Sequence, residues 1–392
     1  MTPKRIKGFV LILLLFVFFG SFVVCHADNV TWRLASGTLH IEGSGAMENY
    51  ASAAQTPWYA SHENIISVYI ASGVTHIGDY ALSSLPNLVS VSIGSSVTSI
   101  GNYSFYDNAK LMSIHIPGNV KNIGDHAFFR ATALTAVSFG EGVQSIGNYT
   151  FNRCYHLSSV TLPDSLQSIG MHAFGYCDSL RAVHFGKGLK SLGSNCFYSC
   201  YSLSDITIPD SVENLGEFIF SNCSNLQNVT ILCPVSTLPA GIFSYSTLAT
   251  VTLPRTITTI DKRAFMYCDD LKTIYFSGNS RDWNAITVCE DNDILSGTAV
   301  QCMEKLYISQ STRKDNAISL TVTTDAGKSG ILIVCAYDHE GRFVSMTKTP
   351  VSEADTSLSV NMPCPDDGKI SVVLWHTIQC FTPLTNSAVL SY

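Results

Sequence analysis

The sequence predicts a solenoid of short stacked strands, and three recurring observations carry that prediction. An aliphatic-Gly pair returns every 23 residues, at Ile77-Gly78, Ile100-Gly101, Ile123-Gly124, Ile146-Gly147, Ile169-Gly170, Leu192-Gly193 and Leu215-Gly216, with degenerate forms at Leu238-Pro239 and Ile260-Asp261. An aromatic follows five residues after each aliphatic, from Phe105 through Phe128, Phe151, Phe174, Phe197, Phe220, Phe243 and Phe265, with Leu82 in the first copy. Between successive pairs lies an alternating tripeptide such as Val91-Ser92-Ile93, Ile114-His115-Ile116 or Val160-Thr161-Leu162. Alternation turns the two outer side chains inward and the middle one outward. A 23-residue period lies in the range of leucine-rich repeats, whose unit is a strand plus a short turn or helix and buries its apolar face only against neighbouring units.

In chain order, Lys4, Arg5 and Lys7 precede an apolar run from Phe9 to Val24, and Cys25-His26-Ala27 offers small residues before a cut, so residues 1–27 read as a secretory leader. Residues 28–64 read as a cap over the first repeat: Thr31-Trp32-Arg33-Leu34 and Thr38-Leu39-His40-Ile41 alternate around Ser36-Gly37, which is a hairpin signal. Residues 65–305 hold the repeats, fading after Phe276 into a closure with Trp283, Ile286 and Leu295. From 306 to 392 the pattern changes to longer alternating runs, at 318–322, 330–337, 357–360 and 370–375, separated by turn-rich segments; this predicts a small all-β, sandwich-like domain. Two columns alternate from copy to copy. The residue after each strand runs Gly94, Pro117, Gly140, Pro163, Gly186, Pro209, and another runs Tyr103, His126, Tyr149, His172, implying a 46-residue double unit.

Composition narrows the function. Charged residues make up only 14% of the chain, with 23 Lys and Arg against 30 Asp and Glu, which argues against a phosphate-binding surface and a nucleic-acid partner. No stretch beyond the leader is apolar enough over sufficient length to span a bilayer, so no membrane insertion is expected after its removal. Of the 13 cysteines, Cys154, Cys177, Cys200, Cys223 and Cys268 all fall three residues after the repeat aromatic, where Ala131 and Ser246 stand in other copies. A column shared with Ala and Ser reads as small buried side chains rather than a disulfide framework.

A line such as Leu157-Ser158-Ser159-Val160-Thr161-Leu162-Pro163-Asp164, followed by Ile169-Gly170 and Ala173-Phe174-Gly175-Tyr176-Cys177, resembles the BspA-type leucine-rich repeat family of bacterial surface proteins over roughly residues 65–305. The segment with Gly43-Ser44-Gly45-Ala46-Met47 and Pro57-Trp58-Tyr59 is similar to the cap that often precedes such repeats. The tail, with Ala336-Tyr337-Asp338 and Val373-Leu374-Trp375, resembles small β modules at the ends of surface proteins from Gram-positive anaerobes. The resemblance implies a secreted or cell-surface, adhesin-like protein that binds a protein or glycan on host matrix, host cells or other bacteria. It brings no catalytic motif and no cofactor.

Within the residues themselves, the outward strand positions form a lane: Tyr69, Ser92, His115, Ser138, Thr161, His184, Thr207, Thr230, Thr252 and Tyr275. Ten strands make it roughly 45 Å long, which suits a protein or glycan surface. Tyr69, His115, His184 and Tyr275 are the candidate ligand-binding residues, because rings bring buried area to a recognition surface. Three repeats separate His115 from His184, about 14 Å, too far for a shared metal. Gly327-Lys328-Ser329 lacks the first glycine of a phosphate loop, Glu48 replaces the third glycine of a dinucleotide motif after Gly43-Ser44-Gly45, and no Gly-x-Ser-x-Gly elbow or Cys-x-x-Cys pair occurs. The expectation is a non-enzymatic binding protein; the alternatives are a spacer presenting a binding tail, and a carbohydrate-active enzyme with dispersed carboxylates.

Overall fold

Each coil of the chain hands hydrogen bonds to the next at three places, and these ladders define the architecture. The computed structural model describes residues 24–25, 29–302 and seven strands between 306 and 391. The first ladder is the series of face strands from Ser67–Ile70 and Ser90–Ile93 to Thr250–Leu253 and Thr273–Phe276. They stack parallel and in register, Val68 on Val91 and Ile114 on Val137. The second is a series of strands of two to four residues at the aliphatic-Gly marker, continuous from Gly45–Ala46 to Asn214–Leu215 and resumed at Thr237–Leu238. The third lies in the turns, where Tyr103, Phe105 and Asp107 donate their N–H groups to the carbonyls of Asp125, Ala127 and Phe129 at 2.9, 2.8 and 2.8 Å. Helix is confined to one short segment, Ser280–Asn284, and three 3-10 turns among the described residues.

The glycine of the marker marks a close approach of backbones. A Cβ on Gly124, Gly147, Gly170 or Gly193 would meet the carbonyl carbon of the preceding coil's glycine at 2.6 to 2.7 Å, which no side chain tolerates. Beside it the repeat aromatics form a fully buried stack. Ring centroids are 4.9 Å apart at Phe105–Phe128, 5.3 Å at Phe151–Phe174 and 6.2 Å at Phe220–Phe243. The alternating Tyr/His column is a second stack nearer the surface. Tyr80, Tyr103, His126, Tyr149 and His172 lie face to face at 4.5 to 4.8 Å. All five adopt left-handed backbone, with φ between 52° and 56°. Such a conformation costs about 1–2 kcal/mol for a non-glycine residue; the turn ladder and the ring stack, about 0.5–1.5 kcal/mol per pair, offset it. Burial lowers the pKa of His126 and His172, so both rings stand neutral between their neighbours.

The cysteine column is buried, and none of its thiols is paired in a disulfide. Each thiol lies within reach of the carbonyl of the repeat aromatic one coil earlier. Cys177, Cys200 and Cys268 donate to the carbonyls of Phe151, Phe174 and Phe243 at 3.3, 3.2 and 3.0 Å, and Ser246 does the same to Phe220 at 2.8 Å. Near the ends of the stack an asparagine takes over. Asn108 donates to the Leu82 carbonyl and accepts from Leu85 N–H, and Asn292 accepts from Phe265 N–H. The column therefore closes a backbone carbonyl as well as filling space.

The Gly/Pro alternation has a structural consequence beyond a double unit. Face-strand pairing is interrupted between Ser90–Ile93 and Ser113–Ile116, between Ala136–Phe139 and Ser159–Thr161, and between Ala182–His184 and Asp205–Ile208. Just beyond the strand after each interruption stands Pro117, Pro163 or Pro209. At the same position elsewhere, Ala71, Gly140, Leu232 and Ser277 donate to Ile41, Ile116, Ile208 and Leu253 across the coils. Proline has no N–H to give. At Pro254 the ladder survives but stops one pair short, at Thr230 and Thr252. The strand face is thus built in pairs of coils, while the marker series behind it runs on.

A hairpin precedes the repeats, and one further coil follows them. The expected hairpin forms from Val30–Ala35 and Thr38–Gly43, turned by Ser36 and Gly37 at φ 48° and 79°. Its second strand pairs parallel with Ser67–Ile70, and the Trp58 indole N–H donates to the Ala81 carbonyl at 3.1 Å. At the far end one further coil follows Phe276, with Thr287–Val288 and Ala299–Cys302 extending the two ladders and Trp283 edge-on to Phe276 at 5.5 Å. The leader expected at residues 1–27 lies outside the described residues except for Val24–Cys25, which pair with Trp32 and Thr31. In the tail, Leu306–Lys314, Ala317–Thr324 and Ser357–Pro363 form one antiparallel sheet, and Gly330–Tyr337, Phe343–Val351, Lys369–Trp375 and Ala388–Ser391 another. Gly327-Lys328-Ser329 lies outside the described residues.

Two outcomes follow for stability. Gly147→Ala forces backbones apart and should cost about 1–3 kcal/mol, against about 3–5 kcal/mol for Phe174→Ala, both read by urea unfolding followed by circular dichroism. Burial pushes the thiols of Cys223 and Cys268 up to about 12 from 9.0. A raised thiol pKa contributes stability that is complete below pH 9 and lost as pH rises from 9 towards 12. Each such thiol therefore adds a loss of about 1.4 kcal/mol per pH unit in that window. The Cys223→Ala variant should show a slope shallower by that one contribution, and an unchanged slope would mean that the column is not buried.

Candidate ligand-binding face

The outward lane exists as a register of backbones. Tyr69 stands beside Ser92, His115 beside Ser138, Thr161 beside His184, and Thr207, Thr230, Thr252 and Tyr275 follow one another. Tyr69, His115 and His184 are exposed, whereas Tyr275 is half-buried. The four candidates share one row but do not converge. Spacing of ~4.8 Å per coil puts about 10 Å between Tyr69 and His115, about 14 Å between His115 and His184, and about 19 Å between His184 and Tyr275. His115 is tied to its neighbour, with Nδ1 2.9 Å from Ser138 Oγ.

The cap extends the row. His40 pairs with Tyr69, their ring centroids 5.8 Å apart, and Gln301 continues the row beyond Tyr275. Alongside it, the first residues of the strands form a parallel column of mostly Ser, Thr, Asn and Asp, broken by Ala136, Ala182 and Ala299. There Asn228 donates to Asp205 Oδ1 at 2.8 Å and Thr250 donates to Asn228 Oδ1 at 2.8 Å. Hydrogen bonds from Asn228 and Ser204 hold the Asp205 carboxyl below the usual carboxylate range, so it stays charged.

The face has one concavity among its described residues that coincides with a candidate. Where pairing lapses between Ala182–His184 and Asp205–Ile208, a cleft of about 480 Å3 opens, lined by Arg181, His184, Phe185, Asp205, Pro209 and Leu232 among others. At the other two interruptions a flanking bond still bridges the coils, Met112 N–H to Val89 at 3.3 Å and Ser158 N–H to Thr135 at 3.5 Å. Its floor is apolar and its rim carries one cation and one carboxylate, Arg181 and Asp205. Leu232, 53% exposed, projects at its edge. The sequence reading singled out His184 but neither Phe185 nor Leu232. The signal available for the cleft was Pro209, read only as a mark of duplication.

Among the described residues no group of three or more His, Cys, Asp or Glu is placed to hold a metal ion. His126 and His172 are two coils apart, with Tyr149 stacked between them. No described helix is long and apolar enough to cross a membrane.

Comparison with known protein families agrees with this architecture. The BspA type leucine rich repeat region matches in six copies, over residues 56–165 and 144–272. No curated protein sequence matches the chain. Among solved structures, a leucine-rich repeat protein from Eubacterium ventriosum is 22% identical, over 76% of this chain and 99% of that one, with a TM-score of 0.41. One from Bacteroides ovatus is 22% identical over 68% and 90%, at 0.39. A leucine rich cell surface protein from Faecalibacterium prausnitzii is 19% identical over 68% and 97%, at 0.34. With the repeat family matched across more than half of its 392 residues, on coils whose period and buried columns are those described above, this chain belongs to the BspA-type leucine-rich repeat family.

Proposed function

We propose that this is a secreted, surface-exposed, non-enzymatic binding protein that holds a protein partner along its strand face, anchored at the cleft beside His184. The observation that carries the reading is the coincidence of the outward row, Tyr69 to Tyr275, with a lapse in strand pairing that opens a cleft lined in part by apolar residues. A long, lightly charged strip of hydroxyls and rings has few groups to desolvate at high cost, and the apolar floor supplies the kind of central pocket in which binding energy concentrates. A glycan would meet the same hydroxyls but gain little from Phe185 and Leu232, which favours protein. Host matrix, host cells and other bacteria are the sources the family suggests. Residues 1–27 act as leader, 28–64 as cap, 65–305 as the binding solenoid and 306–392 as an accessory β module in this proposal.

The test is binding of the purified chain to immobilised extracellular matrix proteins and to whole bacterial cells. For the partner found, His184→Ala and Leu232→Ser should each weaken binding about tenfold, or about 1.4 kcal/mol, with thermal unfolding unchanged. Tyr69→Ala should act in the same direction. Tyr267→Ala, at an exposed ring of the turn ladder outside the strand face, should leave affinity as it is. Equal losses at Tyr267 and His184, or full binding by the tail alone, would remove the strand-face reading and make the repeats a spacer.

A further inference from the structure

The first strand of the cap hairpin lies at the edge of its sheet. Val30–Ala35 pairs with Thr38–Gly43 on one side. On its other side, among the described residues, only Val24 and Cys25 pair with it, antiparallel, against Trp32 and Thr31. The two-residue turn closes on the Ala35–Thr38 pair. Hydrogen-bonded pairs alternate from there, so Trp32 and Leu34 turn their peptide groups toward the edge. Their side chains and that of Val30 pack partly buried against the core, whereas Arg33 pairs with Glu42 on the outward face at 3.2 Å. Sheet edges of this kind invite another chain unless they are covered, bulged or charged. Here the cover comes from the segment read as a leader, and the one charge on the strand, Arg33, already has a partner.

We propose that, once residues 1–27 are removed, this edge pairs with the same edge of a second copy and joins two solenoids cap to cap. Antiparallel pairing about a two-fold axis at Trp32 sets that residue beside its counterpart, Val30 beside Leu34 of the partner subunit, and Thr31 beside Arg33 of the partner subunit. Apolar side chains then share one face of the joined sheet, and no like charges stand opposite each other. A shift of two residues toward Ala35 would set Arg33 against its own counterpart. The axis is perpendicular to the sheet, so both strand faces look the same way and the pair is bivalent. The proposal rests on the leader reading and needs nothing from the cleft. The experiment is light scattering coupled to gel filtration, with the first residue of the secreted chain read by mass spectrometry. A chain that starts at Asp28 should pass from monomer to dimer with a midpoint of about 1–100 µM, as suits an interface of one strand. A chain that starts at Val24 should stay monomeric over that range. Thr31→Glu meets Arg33 of the partner subunit twice by symmetry and should tighten the dimer about fivefold, and Thr31→Lys should loosen it about fivefold. Glu42 neighbours position 31 in monomer and dimer alike, so its effect cancels. Thermal unfolding checks that both variants fold. A folded Asp28 chain that stays monomeric at about 100 µM, equal midpoints for the two Thr31 variants, or a dimer of the Val24 chain would overturn the proposal. A secreted chain that begins at Met1 would overturn the leader reading alone, and the Asp28 chain, made separately, would still decide the pairing.

Discussion

The backbone of each coil lies directly on the backbone of the one before, and every other regularity of the molecule inherits that spacing. At the aliphatic-Gly marker there is no room between coils for even one carbon atom, as the approach of Gly147 to Gly124 demonstrates. Because the peptide groups repeat at one strand spacing, any side chain carried at a constant position in the 23-residue unit meets its own counterpart. Phenylalanines therefore stack on phenylalanines, tyrosines on histidines, and thiols line up beneath the carbonyls of the preceding coil. Each coil buries a similar share of core, so stability accumulates by nearest-neighbour interfaces rather than through one central core.

The same constraint explains why several locally unfavourable choices persist. Tyrosine and histidine in left-handed backbone violate local preference, yet the turn ladder requires that geometry in every coil and supplies a hydrogen bond and a ring contact in return. Cysteine is a reactive residue. Here its thiol is enclosed and held protonated, the form that donates to the carbonyl. The face strands show the opposite balance: proline removes a ladder bond at every second coil from Pro117 to Pro209, and the marker series behind them keeps the coils together.

The period made most of the fold legible in the sequence. Gly101 to Gly216, the phenylalanine column and the alternating tripeptides each announce one ladder or stack, and the Ser36-Gly37 turn announces the cap. The lane was legible for the same reason, since a constant offset in a repeat becomes a row in space. The cleft was not. It lies at one of three interruptions that share a proline, so proline alone does not mark it, and its lining comes from three different copies, through Phe185, Ile206 and Leu232. The closing coil showed in the sequence only as a fading closure, because Asn292 takes over from cysteine and Cys289 follows Val288 where earlier copies have glycine, while the ladders continue. Nor does any periodicity encode the edge of the cap, which depends on what pairs with the outer side of Val30–Ala35.

The pairwise strand face gives the rod a direction of mechanical give. Tension applied along the stack is carried on one side by a series of marker strands that runs unbroken from Gly45 to Leu215, and on the other by a sheet with three gaps. Load on such an asymmetric beam is relieved by bending rather than by uniform stretch. The gaps widen while the glycine-lined side acts as the hinge line, and the strain is shared among joints two coils apart. A solenoid built in this way meets shear by opening its face instead of unravelling from an end.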